Sequence, residues 1–252
     1  VLRGERHLPI GLGGSVTDHD PKILVVGDLH GHFKLLNTLI TDEAPDIVLQ
    51  CGDFAYFWPG RESKGMIQPG GTKVYWCPGN HEDWATINRN YPPGGIYQVE
   101  KNIFLCTFGA ILELQDERTV MFCGGGLSVD WRERTSGEGW WAEETITGRD
   151  LKALPDPWEV GVDIVVSHTK PTSFQFASYR NEVKEKDESC RLLDEKVLKD
   201  FQPSHWYFGH FHRHETGEFK GTNWTALHRA DMRRGAFGFA GHQGWWVKLA
   251  EG

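Results

Sequence analysis

Residues 22–31, KILVVGDLHG, decide the fold. Ile23 to Val26 form a continuous apolar run rather than an alternating one, which predicts a strand buried on both faces, as in a parallel sheet. The run stops at Gly27 and hands over at once to Asp28 and His30, with Gly31 behind them. The same event recurs along the chain. Residues 46–51 (DIVLQC) precede Gly52-Asp53, and 73–77 (KVYWC) precede Gly79-Asn80-His81-Glu82. Later, 162–167 (VDIVVS) lead into His168, and 204–208 (SHWYF) into Gly209-His210-Phe211-His212. Open α/β sheets place their sites beyond the carboxyl ends of their strands, so one parallel sheet is expected to deliver all these groups to a single edge.

Between the strands, His32 to Asn37 with Leu39-Ile40 carry the apolar stripe of a helix, and a shorter helix is expected at 83–90. It stops before Tyr91-Pro92-Pro93-Gly94-Gly95, where prolines and glycines favour a turn. Residues 103–114 and 119–123 read as a hairpin closed by Gln115-Asp116-Glu117-Arg118. Gly124-Gly125-Gly126 marks a turn or a close backbone approach. A further helix is expected over 142–154, a charged exposed loop through Glu182, Lys184, Glu185, Lys186, Asp187 and Glu188, and a helix over 190–200. Short alternating runs in 217–250, ending in 245–249 (WWVKL), are expected to belong to a second sheet that the C-terminus completes.

At 252 residues the chain suits one domain, 1–252, with 1–20 as a flexible lead. The net charge is −8 with both signs interspersed, which argues against an extended footprint for duplex DNA or an anionic membrane. Five irregularly spaced cysteines, four of them in strand-like runs, read as buried reduced thiols. No stretch has the length of a membrane span or signal core, so a cytoplasmic protein with no membrane association and no obligate protein partner is expected.

Carboxylate, imidazole and amide ligands together suit first-row divalent metals. Asp28, His30, Asp53 and His212 could hold one ion, and Asn80, His168 and His210 a second, with Asp53 shared. A bridging carboxylate keeps two ions about 3.5–4 Å apart, the separation that clamps attacking and leaving oxygens. If the backbone is extended at His210-Phe211-His212, both imidazoles enter one pocket while Phe211 packs behind it. His81 adjoins Asn80 yet is needed in neither set, which suits it to exchange a proton with a substrate oxygen. Its competing role is to cap the helix that follows.

These groups, in this order from Asp28 through His212, resemble the calcineurin-like metallophosphoesterases. The resemblance implies an α/β fold, a four-layer αββα sandwich with two central, mostly mixed β-sheets. It implies a dinuclear site holding manganese, or else iron, zinc or nickel, with the two ligand sets just given. It also places His81 on the histidine that contacts the phosphate and protonates the leaving oxygen. Protein phosphatases of the family carry an Asp-Arg pair soon after the bridging aspartate. Here Tyr56 and Phe57 stand in those places, which disfavours phosphoprotein substrates and leaves open whether Tyr56 orients His81.

Arg132 and Arg134, after Ser128-Val129-Asp130-Trp131, offer forked donors for an anionic substrate, or else pair with Asp130, Glu133 or the Glu143-Glu144 pair. Asn80 and His81 complete the expected substrate contacts. Trp58, Trp131, Trp140 and Trp141 border the pocket as base-stacking faces or seal loops against the core. The expected activity is therefore metal-dependent phosphoesterase chemistry, in which a metal-bound hydroxide hydrolyses a small phosphodiester or a nucleotide. The alternatives are a nuclease acting on short single-stranded nucleic acid and a noncatalytic metal-containing scaffold. His7, His19, His205, His214, His228 and His242 lack the combination of strand-end placement and an adjacent glycine or ligand and are expected to be structural; His32, close behind Gly31, is near enough to approach the site but is expected to start the helix.

Overall fold

The computed structural model describes residues 10–11, 20–177, 187–231 and 244–251. Its strands form two sheets, not one. The first has six strands: β2 (Ile23–Val26), β3 (Ile47–Gln50), β4 (Lys73–Trp76), β5 (Ile96–Glu100), β6 (Ile103–Cys106) and β13 (Trp246–Lys248), in the order β13-β2-β3-β4-β6-β5. The second has seven: β1 (Ile10–Gly11), β7 (Ala110–Glu113), β8 (Thr119–Cys123), β9 (Ile164–Ser167), β10 (His205–Phe208), β11 (Glu215–Phe219) and β12 (Thr222–Ala226), ordered β1-β7-β8-β9-β10-β12-β11. Each sheet has a parallel centre, β2-β3-β4-β6 and β8-β9-β10-β12, with antiparallel pairs toward its edges.

Side chains alternate across each strand, so a run such as Ile23 to Val26 must satisfy two apolar layers at once. Ile23 and Val25 join Ile47, Leu49 and Tyr75 against Leu112, Val120, Phe122, Ile164, Val166 and Tyr207, which fills the space between the sheets. Leu24, Val26, Val48, Val74 and Trp76 face outward onto α1 (Phe33–Glu43) and α2 (Trp84–Asn90). On the far side, Met121, Val165, Trp206, Phe208 and Trp224 pack on α3, made of α-helical Glu188–Leu192, π-helical Leu193–Leu198 and α-helical Lys199–Phe201. Helix, sheet, sheet, helix is the four-layer sandwich that the resemblance implied.

Helix α1 buries Phe33, Leu36, Leu39 and Ile40 and ends at Ala44, whose left-handed backbone returns its N–H to the Ile40 carbonyl just before Pro45. Asp83, not His81, caps α2 by accepting the Thr86 N–H at 3.0 Å. Several sequence expectations need correction. Residues 103–114 are two strands in different sheets, because the chain crosses between layers at Gly109, φ +81°, where a Cβ would press on the Ala153 carbonyl. Only β7 pairs with β8. The 142–154 helix is replaced by two 3₁₀ turns, Ala142–Glu144 and Asp150–Ala153. The C-terminal strand completes the first sheet, antiparallel to β2, while the β11–β12 hairpin belongs to the second.

In the expected lead, Ile10–Gly11 pair with β7 as an edge strand. The rest of that lead up to residue 19, most of the charged loop at 182–188, and His7, His19 and His242 lie outside the described residues. Among the described residues, no helix is long and apolar enough to cross a membrane. All five cysteines are buried thiols.

Candidate metal centre

The two sheets deliver their polar strand ends to one place. Asp28, Asp53 and Asn80 follow β2, β3 and β4 of the first sheet, and His168, His210 and His212 follow β9 and β10 of the second. The site therefore straddles the sheet pair rather than lining one sheet's edge.

Close approach explains the glycines that precede these residues. A Cβ on Gly79 would lie 2.2 Å from Asp53 Oδ1, and one on Gly209 would lie 1.9 Å from Asp28 Oδ1. Any side chain there would displace a carboxylate. Backbone conformation adds a second signature: His30, Asp53, His210 and His212 all adopt positive φ, between 46° and 64°. For non-glycine residues this region costs on the order of 1–3 kcal/mol each, and it persists only where the surroundings fix it. Hydrogen bonds do so here. The His30 N–H donates to the Asp53 carbonyl at 2.7 Å, and the His210 N–H donates to the Asp28 carboxylate at 2.9 and 3.1 Å. The expected extended backbone at His210-Phe211-His212 is thus replaced by two left-handed residues flanking Phe211, which is buried against α3's layer.

Ligand atoms of Asp28, His30, Asp53 and His212 all lie within 4.8 Å of one another. His212 Nε2 is 3.1 Å from Asp28 Oδ2 and 3.1 Å from His30 Nε2, and His30 Nε2 is 3.7 Å from Asp53 Oδ2. On the other side of Asp53, His168 Nε2 is 3.4 Å from Asp53 Oδ1, 2.9 Å from Asn80 Oδ1 and 3.1 Å from His210 Nδ1. The structure thus brings all seven predicted ligands together.

The chemistry of this donor set fits a cation. His168 Nδ1 donates to the Cys51 carbonyl at 2.9 Å, which turns Nε2 toward Asn80 Oδ1 and Asp53 Oδ1, two oxygens that only accept. Asp53 Oδ2 is buried and has no hydrogen-bond donor among the described residues. Burial works to raise the Asp53 and Asp28 carboxyls, yet the surrounding imidazoles outweigh it and hold both below the ordinary carboxylate range. Two buried anions side by side require compensating positive charge, which a metal supplies. The cluster is able to chelate divalent metal.

Around it, burial pushes His30 down to about 4 and lowers His81 as well. The His81 N–H donates to Asp53 Oδ1 at 2.8 Å, and its ring stands 4.9 Å from His30 and 5.3 Å from Trp58. Arg134 Nη2 lies 3.3 Å from His81 Nε2 and 2.8 Å from Asp130 Oδ1. Arg132 instead is exposed, its guanidinium stacked 4.9 Å over Trp131. Of the two arginines, Arg134 is the one joined to His81. Tyr56 does not orient His81; its hydroxyl donates to Glu100 at 2.6 Å. Trp58 is the tryptophan against His81, Trp131 and Trp140 pair with each other at 5.3 Å, and Trp141 is core.

Three buried carboxylates outside the cluster, which the sequence did not single out as functional, fasten the loops that carry it. Glu82 accepts the Ala55 and Phe57 N–H groups behind Asp53. Glu144 accepts from Ser128, and Asp187 accepts the Leu127 N–H at 2.8 Å while capping α3. Burial raises all three: Glu82 well above its usual range, Glu144 to about 8, and Asp187 upward. A lone acid in a polar loop leaves no periodic trace, so only the fold reveals Glu144 and Asp187 in this role, whereas Glu82, beside His81, already reads from the sequence as a brace of its turn.

The chain belongs to the calcineurin-like phosphoesterase family, whose model matches residues 21–214. None of the curated protein sequences compared with the chain matches it. Among solved structures, it is similar to a Staphylococcus aureus protein assigned provisionally as a 5′-nucleotidase, in complex with α-ketoglutarate. That likeness has a TM-score of 0.50 and 18% identity over 82% of this chain and 48% of the other, so the present chain spans about half that protein's length. Phosphopantetheinyl hydrolase from Mycobacterium tuberculosis aligns at TM-score 0.43 and 15% identity, over 91% of this chain and 96% of that one. At such identities the likeness concerns the fold alone.

Proposed function

We propose that the protein is a two-metal phosphoesterase that hydrolyses a small phosphodiester or a nucleotide. The observation that carries this reading is the division of labour at Asp53: Oδ2 faces His30 at 3.7 Å while Oδ1 faces His168 at 3.4 Å. One carboxylate thus turns an oxygen toward each half of the cluster, which suits it to be shared between two cations. Asp28, His30, Asp53 and His212 would hold one cation, and Asp53, Asn80, His168 and His210 the other, manganese being the first candidate. Two such ions supply Lewis-acid polarisation of phosphoryl oxygens and activate water as the nucleophile.

The chain's own residues do the rest. His81, fixed through its backbone to Asp53, sits at the rim of the cluster, where its ring can give a proton to the leaving oxygen. Arg134 adds charge beside it for the phosphoryl group, and Asn80 shares the substrate side of the cluster. The positions of Tyr56 and Phe57 favour a small substrate, since Tyr56 is committed to Glu100 and Phe57 to Trp76 and Tyr91. No carboxylate–guanidinium pair for a phosphoprotein stands there. The half-buried face of Trp58 beside His81 is placed to stack a base. Five buried thiols suit a reducing compartment such as the cytoplasm.

The test is hydrolysis of bis-p-nitrophenyl phosphate and p-nitrophenyl phosphate after manganese loading. A panel of 2′,3′-cyclic nucleotides, nucleoside monophosphates, phosphopeptides and short oligonucleotides then follows. Turnover of the first two classes above the phosphopeptides is expected. Protein that binds two equivalents of manganese yet hydrolyses nothing would be a noncatalytic scaffold.

A further inference from the structure

Asn80 coordinates through oxygen only, yet a carboxamide offers oxygen on one arm and NH₂ on the other in nearly the same shape. Which arm faces His168 and Asp53 must therefore be decided by what holds the opposite arm. In this chain that is Ser128. Asn80 Nδ2 donates to Ser128 Oγ at 3.1 Å, which leaves Asn80 Oδ1 at 2.9 Å from His168 Nε2.

A serine hydroxyl can accept from one partner and donate to another, so by itself it does not fix the direction. Glu144 does. Its Oε2 accepts the Ser128 hydroxyl at 3.0 Å, and its Oε1 accepts the Ser128 backbone N–H. With Glu144 ionised, as it is above about pH 8, the hydroxyl proton is committed to its carboxylate, so Ser128 Oγ has only lone pairs left for Asn80, and only the NH₂ arm can satisfy them. The chain is directional, from Asn80 N–H to Ser128 O–H to carboxylate. Every member is buried: Asn80 is 4% exposed, Ser128 1% and Glu144 0%, so water does not compete for these bonds. The Glu144 carbonyl also accepts the Gly126 N–H at 2.8 Å, which ties the strap 124–128 to the same residue.

We propose that Glu144, acting through Ser128, is a positioning residue that locks the Asn80 carboxamide oxygen-inward. It thereby sets the affinity of the cation site formed with Asp53, His168 and His210, while the Asp28, His30, Asp53, His212 site does not depend on it. This inference rests on the two-cation reading. Nothing in the chain's motifs assigns Glu144 a task, and its only visible alternative in the sequence was as an acid for Arg132 or Arg134.

Calorimetric titration of chelator-stripped protein with Mn²⁺ above about pH 8, where Glu144 is ionised, tests it. Wild type is expected to bind two equivalents. Ser128→Ala and Glu144→Gln are expected to weaken one equivalent about 10- to 100-fold, the usual cost of losing an outer partner of a ligand. The other equivalent should stay within about twofold, and it reports that each variant is folded; Ser128→Ala, the smaller change, decides the question if Glu144→Gln does not fold. A merely structural role is separated by a double-mutant cycle with Asn80→Asp, in which both arms are oxygen and orientation no longer matters. In that background Ser128→Ala should change neither affinity by more than about twofold. Two equivalents bound with unchanged affinities in Ser128→Ala overturn the proposal alone, as does an equal loss in both backgrounds. Fewer than two equivalents in wild type overturns the two-cation reading, and this inference with it.

Discussion

His30 and His212 keep 22% and 33% of their side chains exposed, whereas Asn80, His168 and His210, across Asp53 from them, are all buried. The open pole is made of two imidazoles packed edge-to-face at 5.1 Å, with His81 edge-on to His30. The buried pole is tied into the fold by the Cys51 carbonyl on His168 and by Ser128 on Asn80. Its geometry exists before any cation arrives, so little ordering remains to oppose binding there. At the open pole, side-chain ordering accompanies binding, and solvent reaches the ligands. In the proposed arrangement the buried pole keeps its cation longest under chelation, and the open pole exchanges first and meets the substrate.

The most damaging change should be the one that abolishes the distinction. Asp53→Asn removes the carboxylate proposed as a ligand at both poles, and it is expected to lower bis-p-nitrophenyl phosphate turnover by at least about 10²–10³-fold, the scale of losing one preorganised electrostatic group. Manganese stoichiometry should fall below two while circular dichroism stays native. Unchanged steady-state hydrolysis would show that Asp53 bridges nothing.

Next in size is a contrast in stability between the poles. In chelator-treated protein, His168→Ala strips a fully buried ring, leaves the Cys51 carbonyl without its donor, and removes the foremost imidazole offsetting Asp53's buried charge. A loss of about 3 kcal/mol in urea denaturation is expected, from a cavity and an uncompensated buried anion together. His212→Ala also takes the foremost imidazole from Asp28, but it opens no buried cavity and solvent reaches the gap, so it should cost less than His168→Ala. Equal losses would mean that the poles do not differ in how they are braced.

What the sequence made legible follows the same division. All seven ligand candidates could be picked out because each follows an apolar strand, all but His168 beside a glycine or close to a second ligand, and Gly79 and Gly209 answer to the close packing of Asp53 and Asp28. The four layers came from the resemblance, since a doubly buried strand such as β2 looks alike in one sheet or two. The layer change at Gly109 was hidden because β6 and β7 are both apolar and only three residues separate them. The 142–154 stretch has helix-forming residues, but tertiary contacts hold it as 3₁₀ turns around Glu144 and Ile146. The left-handed backbone at His210 was illegible for a related reason: hydrogen bonds from its N–H to Asp28, which follows a distant strand, hold it against local preference.

The bracing acids sharpen the comparison through pH. Burial raises Glu144 to about 8 against an unfolded value of 4.5, so the folded state holds this proton where the unfolded chain has lost it. Below about 4.5 both states are protonated. Folding stability from this group is present there, declines as pH rises toward about 8, and is constant beyond. Glu144→Gln should flatten that part of the decline, a difference on the order of a few kcal/mol between the two stability curves across this window. Parallel curves for wild type and variant would show that Glu144 does not titrate there.

The smallest effect concerns the rim, where two neighbouring arginines are treated differently. Arg134 is held by Asp130 and by the Gly139 carbonyl, to which it donates at 3.2 Å, and so points a guanidinium at His81. Arg132 spends its charge on the face of Trp131 in solvent. A charge-assisted contact to a phosphoryl oxygen contributes about 1.5–3 kcal/mol, so Arg134→Ala should raise KM for p-nitrophenyl phosphate at least roughly tenfold. If the contact forms mainly in the transition state, the loss moves into kcat instead, and the split reads which. Arg132→Ala should leave both constants within about twofold. Reversal of the two variants would place the substrate along the tryptophan pair rather than at His81, and with it the open pole's role in meeting the substrate would fall.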